Sequence, residues 1–156
     1  MNSPARSKAR SAARLAAVQA LYQQHMEGTA LAKLLDEFHQ HRLGRTIDDD
    51  DFEDAEYAEA EVPFFDDVVR GVDARRAEID ALLASKLAAG WTLARLDKAM
   101  LQVLRAGTYE LLARQDVPVA VAISEYVDVA KAFFDDGQAK FVNGVLDAVA
   151  KEARAG

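Results

Sequence analysis

Four bases, Arg6, Lys8, Arg10 and Arg14, stand among the first 26 residues of the chain, and no Asp or Glu precedes Glu27. Guanidinium and ammonium groups so placed neutralise phosphates and release counterions, which is the chemistry of binding a polyanion. Arg10 and Arg14 are four positions apart, so on a helix they share one face, with Ser7 or Lys8 nearby, and make a basic ridge. A solvated arm has the same pattern, and charge alone does not separate the two readings. Two aromatic positions add to the basic signal: Tyr22, and Phe141 next to Lys140. A ring beside a cation suits unpaired RNA, whose bases stack on it. Both rings also fall on apolar stripes, so each is equally available to a core.

Catalytic chemistry finds little support. His25, His39 and His41 are the histidines, and none stands in an H-E-x-x-H or comparable metal spacing. The serines lack a G-x-S-x-G elbow, and no Gly-rich phosphate loop or dinucleotide fingerprint occurs. With no cysteine there is neither a thiol nucleophile nor a thiolate metal site. The expectation is a protein without catalytic residues, metal or cofactor.

The elements that must position these residues read as helices throughout. Leu15, Val18, Tyr22 and Met26 form one stripe, and Leu31, Leu34, Leu35 and Phe38 a second, joined as a hairpin about Gly28. Phe65, Val68, Val69, Val72, Ile79, Leu82 and Leu83 continue a single stripe after Pro63, which predicts one long helix starting at that proline. Gly90 and Trp91 interrupt the pattern, Thr92 is placed to cap the next helix, and Leu93 to Leu111 resume the spacing across Gly107, which marks either a bend or close packing. Two more stripes come after Pro118, Ile123 to Phe133 and Phe141 to Val149, with Asp135 or Asp136 as the cap of the last. The short β-branched run at Val117 to Val121 contains Pro118 and leads into helical periodicity, so strands are not expected. The fold class is all-α.

Charge is distributed unevenly behind a net value of −7. Eleven acids and no Lys or Arg lie between Asp48 and Asp67; the remainder holds 19 bases against 15 acids. The segment from about residue 44 to 61 is poor in large apolar residues and self-repelling, and is expected to be a flexible acidic loop. A length of 156 residues with 51% hydrophobic composition supports one compact domain over 1–156. No apolar run approaches the roughly 20 residues of a membrane span and the basic N-terminus lacks a secretory pattern, so a cytoplasmic protein is expected.

Three sequence blocks resemble the NusB family. Ala13-Arg14-Leu15-Ala16-Ala17-Val18-Gln19-Ala20-Leu21-Tyr22-Gln23 is similar to its basic start and A-V-Q-A-L-Y signature, and Leu104-Arg105-Ala106-Gly107-Thr108-Tyr109-Glu110-Leu111 to its L-R-x-x-x-Y-E-L. The end is the most specific: Val117-Pro118, Ala122-Ile123-Ser124-Glu125, Val129-Ala130-Lys131 and Lys140-Phe141-Val142-Asn143-Gly144-Val145-Leu146-Asp147 match the family order and spacing. Phe65 to Asp80 resembles its F-x-x-x-x-x-G-V stretch. The resemblance implies a bundle of about seven helices in two subdomains. It implies a transcription antitermination factor that binds boxA RNA of ribosomal RNA operons with the ribosomal protein NusE, within the transcription elongation complex, and no catalysis. By the same resemblance Arg6, Lys8, Arg10, Arg14 and Tyr22 belong to the RNA-binding end, Lys140 and Phe141 approach the same strand from the last helix, and Arg105 and Tyr109 lie nearer the NusE surface.

The chain departs from the family pattern at three places. Ser11, Ala12 and Ala13 dilute the arginine cluster, Gly137, Gln138 and Ala139 stand where the family often has an acid and a serine, and the acidic stretch is long. Two other readings come from different classes: a NusB-like regulatory domain of an RNA methyltransferase, for which the chain ends too early, and a helical protein-binding scaffold whose basic arm is incidental.

Overall fold

The structure, a computed structural model, describes residues 4–40 and 52–154, with side chains for 8–40 and 61–154. Seven α-helices occur among the described residues: α1 (Pro4–Glu27), α2 (Leu31–Phe38), α3 (Phe52–Ala74), α4 (Arg76–Lys86), α5 (Lys98–Ala113), α6 (Val119–Phe133) and α7 (Asp136–Ala153), with a short 3₁₀ turn at Leu93–Arg95. No strand occurs among the described residues, and the all-α expectation holds. The chain divides into two compact units, residues 1–70 and 71–156.

In the first unit α1 packs on α2. The face that α1 buries is built from small residues, Ala13, Ala16, Ala17 and Ala20, with Val18 and Leu21. Met26, on the expected apolar stripe, instead points to solvent, and Tyr22, which the sequence leaves open between core and surface, is exposed as well. An alanine face lets helix backbones approach closely, and its packing contributes what larger side chains would otherwise supply. Gly28 ends α1 in the left-handed region at φ 68°, with its N–H donating to the Gln24 carbonyl at 2.8 Å. From α2, Leu34, Leu35 and Phe38 are buried, and the Phe38 ring stacks on Phe65 of α3 at 5.7 Å.

Two expectations for α3 are corrected. The acidic segment is helical from Phe52 onward rather than a loop to residue 61, and Pro63 lies inside the helix rather than at its start. Residues 41–51 of that expected loop lie outside the described residues. Glu and Ala are strong helix formers and acids favour a helix N-terminus, which outweighs the one backbone donor Pro63 lacks. The long helix expected over Phe65 to Leu83 is also two: it breaks at Arg75, whose φ of −110° and ψ of 21° are not helical. Across the break Arg75 Nε donates to Glu78 at 2.8 Å. That hydrogen bond holds the Glu78 carboxyl below its ordinary range and raises the Arg75 guanidinium.

The second unit surrounds α5, against which α4, α6 and α7 all pack. Every residue from Met100 to Leu111 is buried, so this helix has no solvent face and its polar groups need partners inside. Tyr126 on α6 donates its hydroxyl to Glu110. Gly107 is a close-packing glycine in an unbroken helix: a Cβ there would stand 2.8 Å from Leu146 Cδ1. The cap of α5 is Asp97, whose Oδ1 accepts from Ala99 N at 2.8 Å and Met100 N at 3.2 Å. Thr92, the expected cap, precedes only the 3₁₀ turn and makes no side-chain capping bond. Asp135 caps α7 in a reciprocal box with Gln138.

Candidate nucleic-acid interface

In the first unit, α1 carries the basic residues on two different faces. Lys8 is exposed. Arg14 is only 2% exposed, its guanidinium 4.9 Å from the centre of the Phe64 ring. Arg10 lies over the same ring at 4.7 Å, and its Nε donates to the buried Glu61 at 3.1 Å. The ridge expected of Lys8, Arg10 and Arg14 is therefore corrected: Arg14 is buried, and Arg10, still partly exposed, stacks on the same aromatic face with a carboxylate offsetting its charge. Both side chains serve unit 1 as packing. The Arg6 side chain lies outside the described residues. Tyr22, left open between core and platform, is 40% exposed and offers its ring to solvent.

Arg14→Ala is expected to destabilise the protein by about 2 kcal/mol through lost packing over Phe64. Urea denaturation checks the loss, and the salt dependence of RNA binding by the folded variant is expected to match wild type, because no phosphate contact is removed.

In the second unit, Lys140 and Phe141 sit in the first turns of α7, which the Asp135 and Gln138 box fixes in place. Gln138, one of the departures from the family pattern, is the residue that closes this box. Lys140 is exposed and lines a cleft of about 360 Å³ with Lys131 and Asn143. The next residue, Phe141, is half-buried and lines a separate cleft of about 320 Å³ with Trp91, Arg95, Leu96, Met100 and Gln138. Successive residues on a helix diverge by about 100°, so a cation and a ring in sequence face two clefts. Sequence reasoning missed Lys131 and Trp91. Their signal was present: Lys131 lies nine residues before Lys140, and Trp91, the single tryptophan of the chain, comes directly after a glycine.

Arg105 and Tyr109 are 7% and 6% exposed. Arg105 grips Asp80 of α4 with two bonds, Nε to Oδ1 at 2.9 Å and a terminal nitrogen to Oδ2 at 2.8 Å. The Tyr109 ring lies against the backbone of Gly71. Both therefore work beneath the surface, fixing α4 and the start of the unit on α5. Among the described residues no group of His, Asp or Glu could hold a metal ion, and no helix is long and apolar enough to cross a membrane.

Residues 11–151 match the NusB family. Transcription antitermination protein NusB of Novosphingobium aromaticivorans is 69% identical over 147 residues, covering 94% of this chain and 96% of that protein. NusB of T. maritima, in a solved structure, shares 33% identity at a TM-score of 0.72, covering 97% of this chain and 94% of that one. A crystal structure of antitermination factors NusB and NusE in complex with dsRNA is similar at a TM-score of 0.71 with 26% identity, covering 93% and 98%. On the breadth of these matches and the shared helical fold, the chain belongs to the NusB family.

Proposed function

We propose that this protein is an RNA-binding transcription antitermination factor that binds boxA RNA of ribosomal RNA operons together with ribosomal protein NusE, as part of a transcription elongation complex. Its role is recognition, without catalysis. The observation that carries the reading is the exposed Lys140 beside Phe141 on a capped helix start, in a family where a solved complex joins NusB, NusE and dsRNA. Lys8, Lys131 and Lys140 supply phosphate contacts, with Arg6 added from the same end of α1. Tyr22 and Phe141 supply rings for unpaired bases. With Arg10 and Arg14 engaged inside unit 1, fewer cations meet RNA than the sequence contains, so the protein alone binds modestly and NusE raises the affinity. Arg105 and Tyr109 support the NusE contact from below by holding the helices that form it.

The test is binding of a labelled boxA-type RNA with and without NusE at several salt concentrations. Each phosphate contact on single-stranded RNA contributes about −0.7 to the slope of log affinity on log salt. The pair Lys8→Ala and Lys140→Ala is expected to flatten the slope by about 1.4 in total. A wild-type protein that ignores this RNA in both conditions refutes the reading and leaves the helical scaffold in its place.

A further inference from the structure

Trp91 and Phe141 line the same cleft. Gly90 adopts φ 88° to make the turn before Trp91, and the Trp91 N–H closes it on the Ala88 carbonyl at 3.0 Å. The indole is 50% exposed, which is unusual for the largest apolar side chain. Arg95 is placed over it, with its guanidinium 5.3 Å from the ring centre and anchored to the Gly90 carbonyl at 2.5 Å. The turn, the indole and the guanidinium are thus held together before any ligand arrives. Leu96 and Met100 add apolar lining to the cleft, and Gln138 and Asp97 add polar lining.

We infer that the cleft between Trp91 and Phe141 receives one unpaired nucleobase of the bound RNA. The assignment rests on the RNA-binding reading above and extends it to residues outside the expected site. Two features favour a base over a protein side chain. An aromatic ring paired with a guanidinium plane is the platform on which flipped bases stack, and the cation suits the phosphates on either side of the base. The cleft also contains Phe141, one of the two rings assigned to unpaired bases above. With Asp97 Oδ1 and Gln138 Oε1 engaged in their helix caps, the second carboxylate oxygen of Asp97 and the Gln138 NH2 are the atoms able to hydrogen-bond a base edge.

Trp91 is the only tryptophan in the chain, so its fluorescence reports the cleft directly in the unmodified protein. The experiment titrates the full chain with boxA-type single-stranded RNA, and then with a series of the same RNA carrying one abasic nucleotide at a time. Saturable quenching of Trp91 is expected with the intact RNA, lost for one abasic position whose phosphates remain. Trp91→Ala is expected to weaken RNA binding by about 5- to 150-fold with an unchanged salt slope, and Trp91→Phe to recover most of it. Circular dichroism confirms that the variants fold. RNA binding by the wild type with no change in fluorescence, and by Trp91→Ala with undiminished affinity, overturns the base assignment while leaving the RNA-binding reading intact. If Trp91→Ala binds RNA alone normally but loses NusE, the cleft belongs to the protein partner and the inference also falls. A wild type that binds no RNA overturns both.

Discussion

Gly71→Ala is expected to destabilise the protein by about 3 kcal/mol, at the upper end of what overpacking a core costs. A Cβ at this position falls inside van der Waals contact of the Cε1 and Cζ atoms of Tyr109 and 2.6 Å from its hydroxyl oxygen. The ring has little freedom to retreat, since Tyr109 is 6% exposed on a helix buried from Met100 to Leu111. Alanine is the better helix former by about 1 kcal/mol, which offsets only part of the clash. Urea denaturation of Gly71→Ala, Tyr109→Leu and the double variant gives the check. In the glycine background the tyrosine change should be destabilising, and in the alanine background it should be neutral or restore stability, a coupling of about 1 to 3 kcal/mol. Additive effects would show that Gly71 is not there to admit the Tyr109 ring.

Arg154→Ala is expected to cost a similar amount, about 3 kcal/mol. At the end of α7 its guanidinium donates to four carbonyls: Leu111 at 2.8 Å, Val117 and Arg114 at 2.9 Å each, and Glu110 at 3.3 Å. Three of these belong to the last turn of α5 and the residue after it, where the macrodipole is negative; the Glu110 and Arg114 carbonyls also accept from the N–H groups of Arg114 and Val117, so the guanidinium is a second donor to both. The fourth ties down the segment that leads into α6. Removing the side chain leaves these partly buried acceptors without their charged donor. Lysine restores the charge but not the planar fork, so Arg154→Lys should recover less than half of the loss. An Arg154→Ala variant that unfolds within about 0.5 kcal/mol of wild type by urea would show that water replaces the side chain without penalty.

The helices that were legible in the sequence are those whose buried face is made of large side chains. α2, α5, α6 and α7 are legible from Leu34, Leu104, Tyr126 and Val145 and their neighbours at helical spacing, and the cap of α7 is legible as Asp135 or Asp136, of which the structure uses Asp135. α1 was legible as a helix but not in its orientation. Hydrophobic periodicity weights Leu15, Tyr22 and Met26, whereas the helix packs on Ala13, Ala17 and Ala20. The start of α3 was hidden because charge repulsion and a proline both argue locally for a break, and only its packed continuation at Phe64, Phe65 and Val68 tips the balance. The sequence points to Thr92 and not to the actual cap Asp97, because both are good capping residues and the intervening 3₁₀ turn leaves no mark in the periodicity.

For the site, the pairing of rings with basic groups and the family likeness both point to Lys140, Phe141 and Tyr22, and each of the three presents some surface to solvent. Neither shows that Arg14 is inside. Charge pattern treats every arginine as available, and the partners that change this, Glu61 and Phe64, are about 50 residues away along the chain. Trp91 was missed for the converse reason. A lone aromatic next to a glycine reads as an interruption between helices, and only the three-dimensional turn shows that it is held outward beside Arg95.

The burial of α5 from Met100 to Leu111 also sets how the second unit comes apart. A helix with one wet side can fray or detach while its neighbours remain in place, but a central rod gripped by three others can be released only when they separate as well. Residues 71–156 should accordingly lose structure in one concerted event, with the backbone amides of α5 the last to exchange their hydrogens.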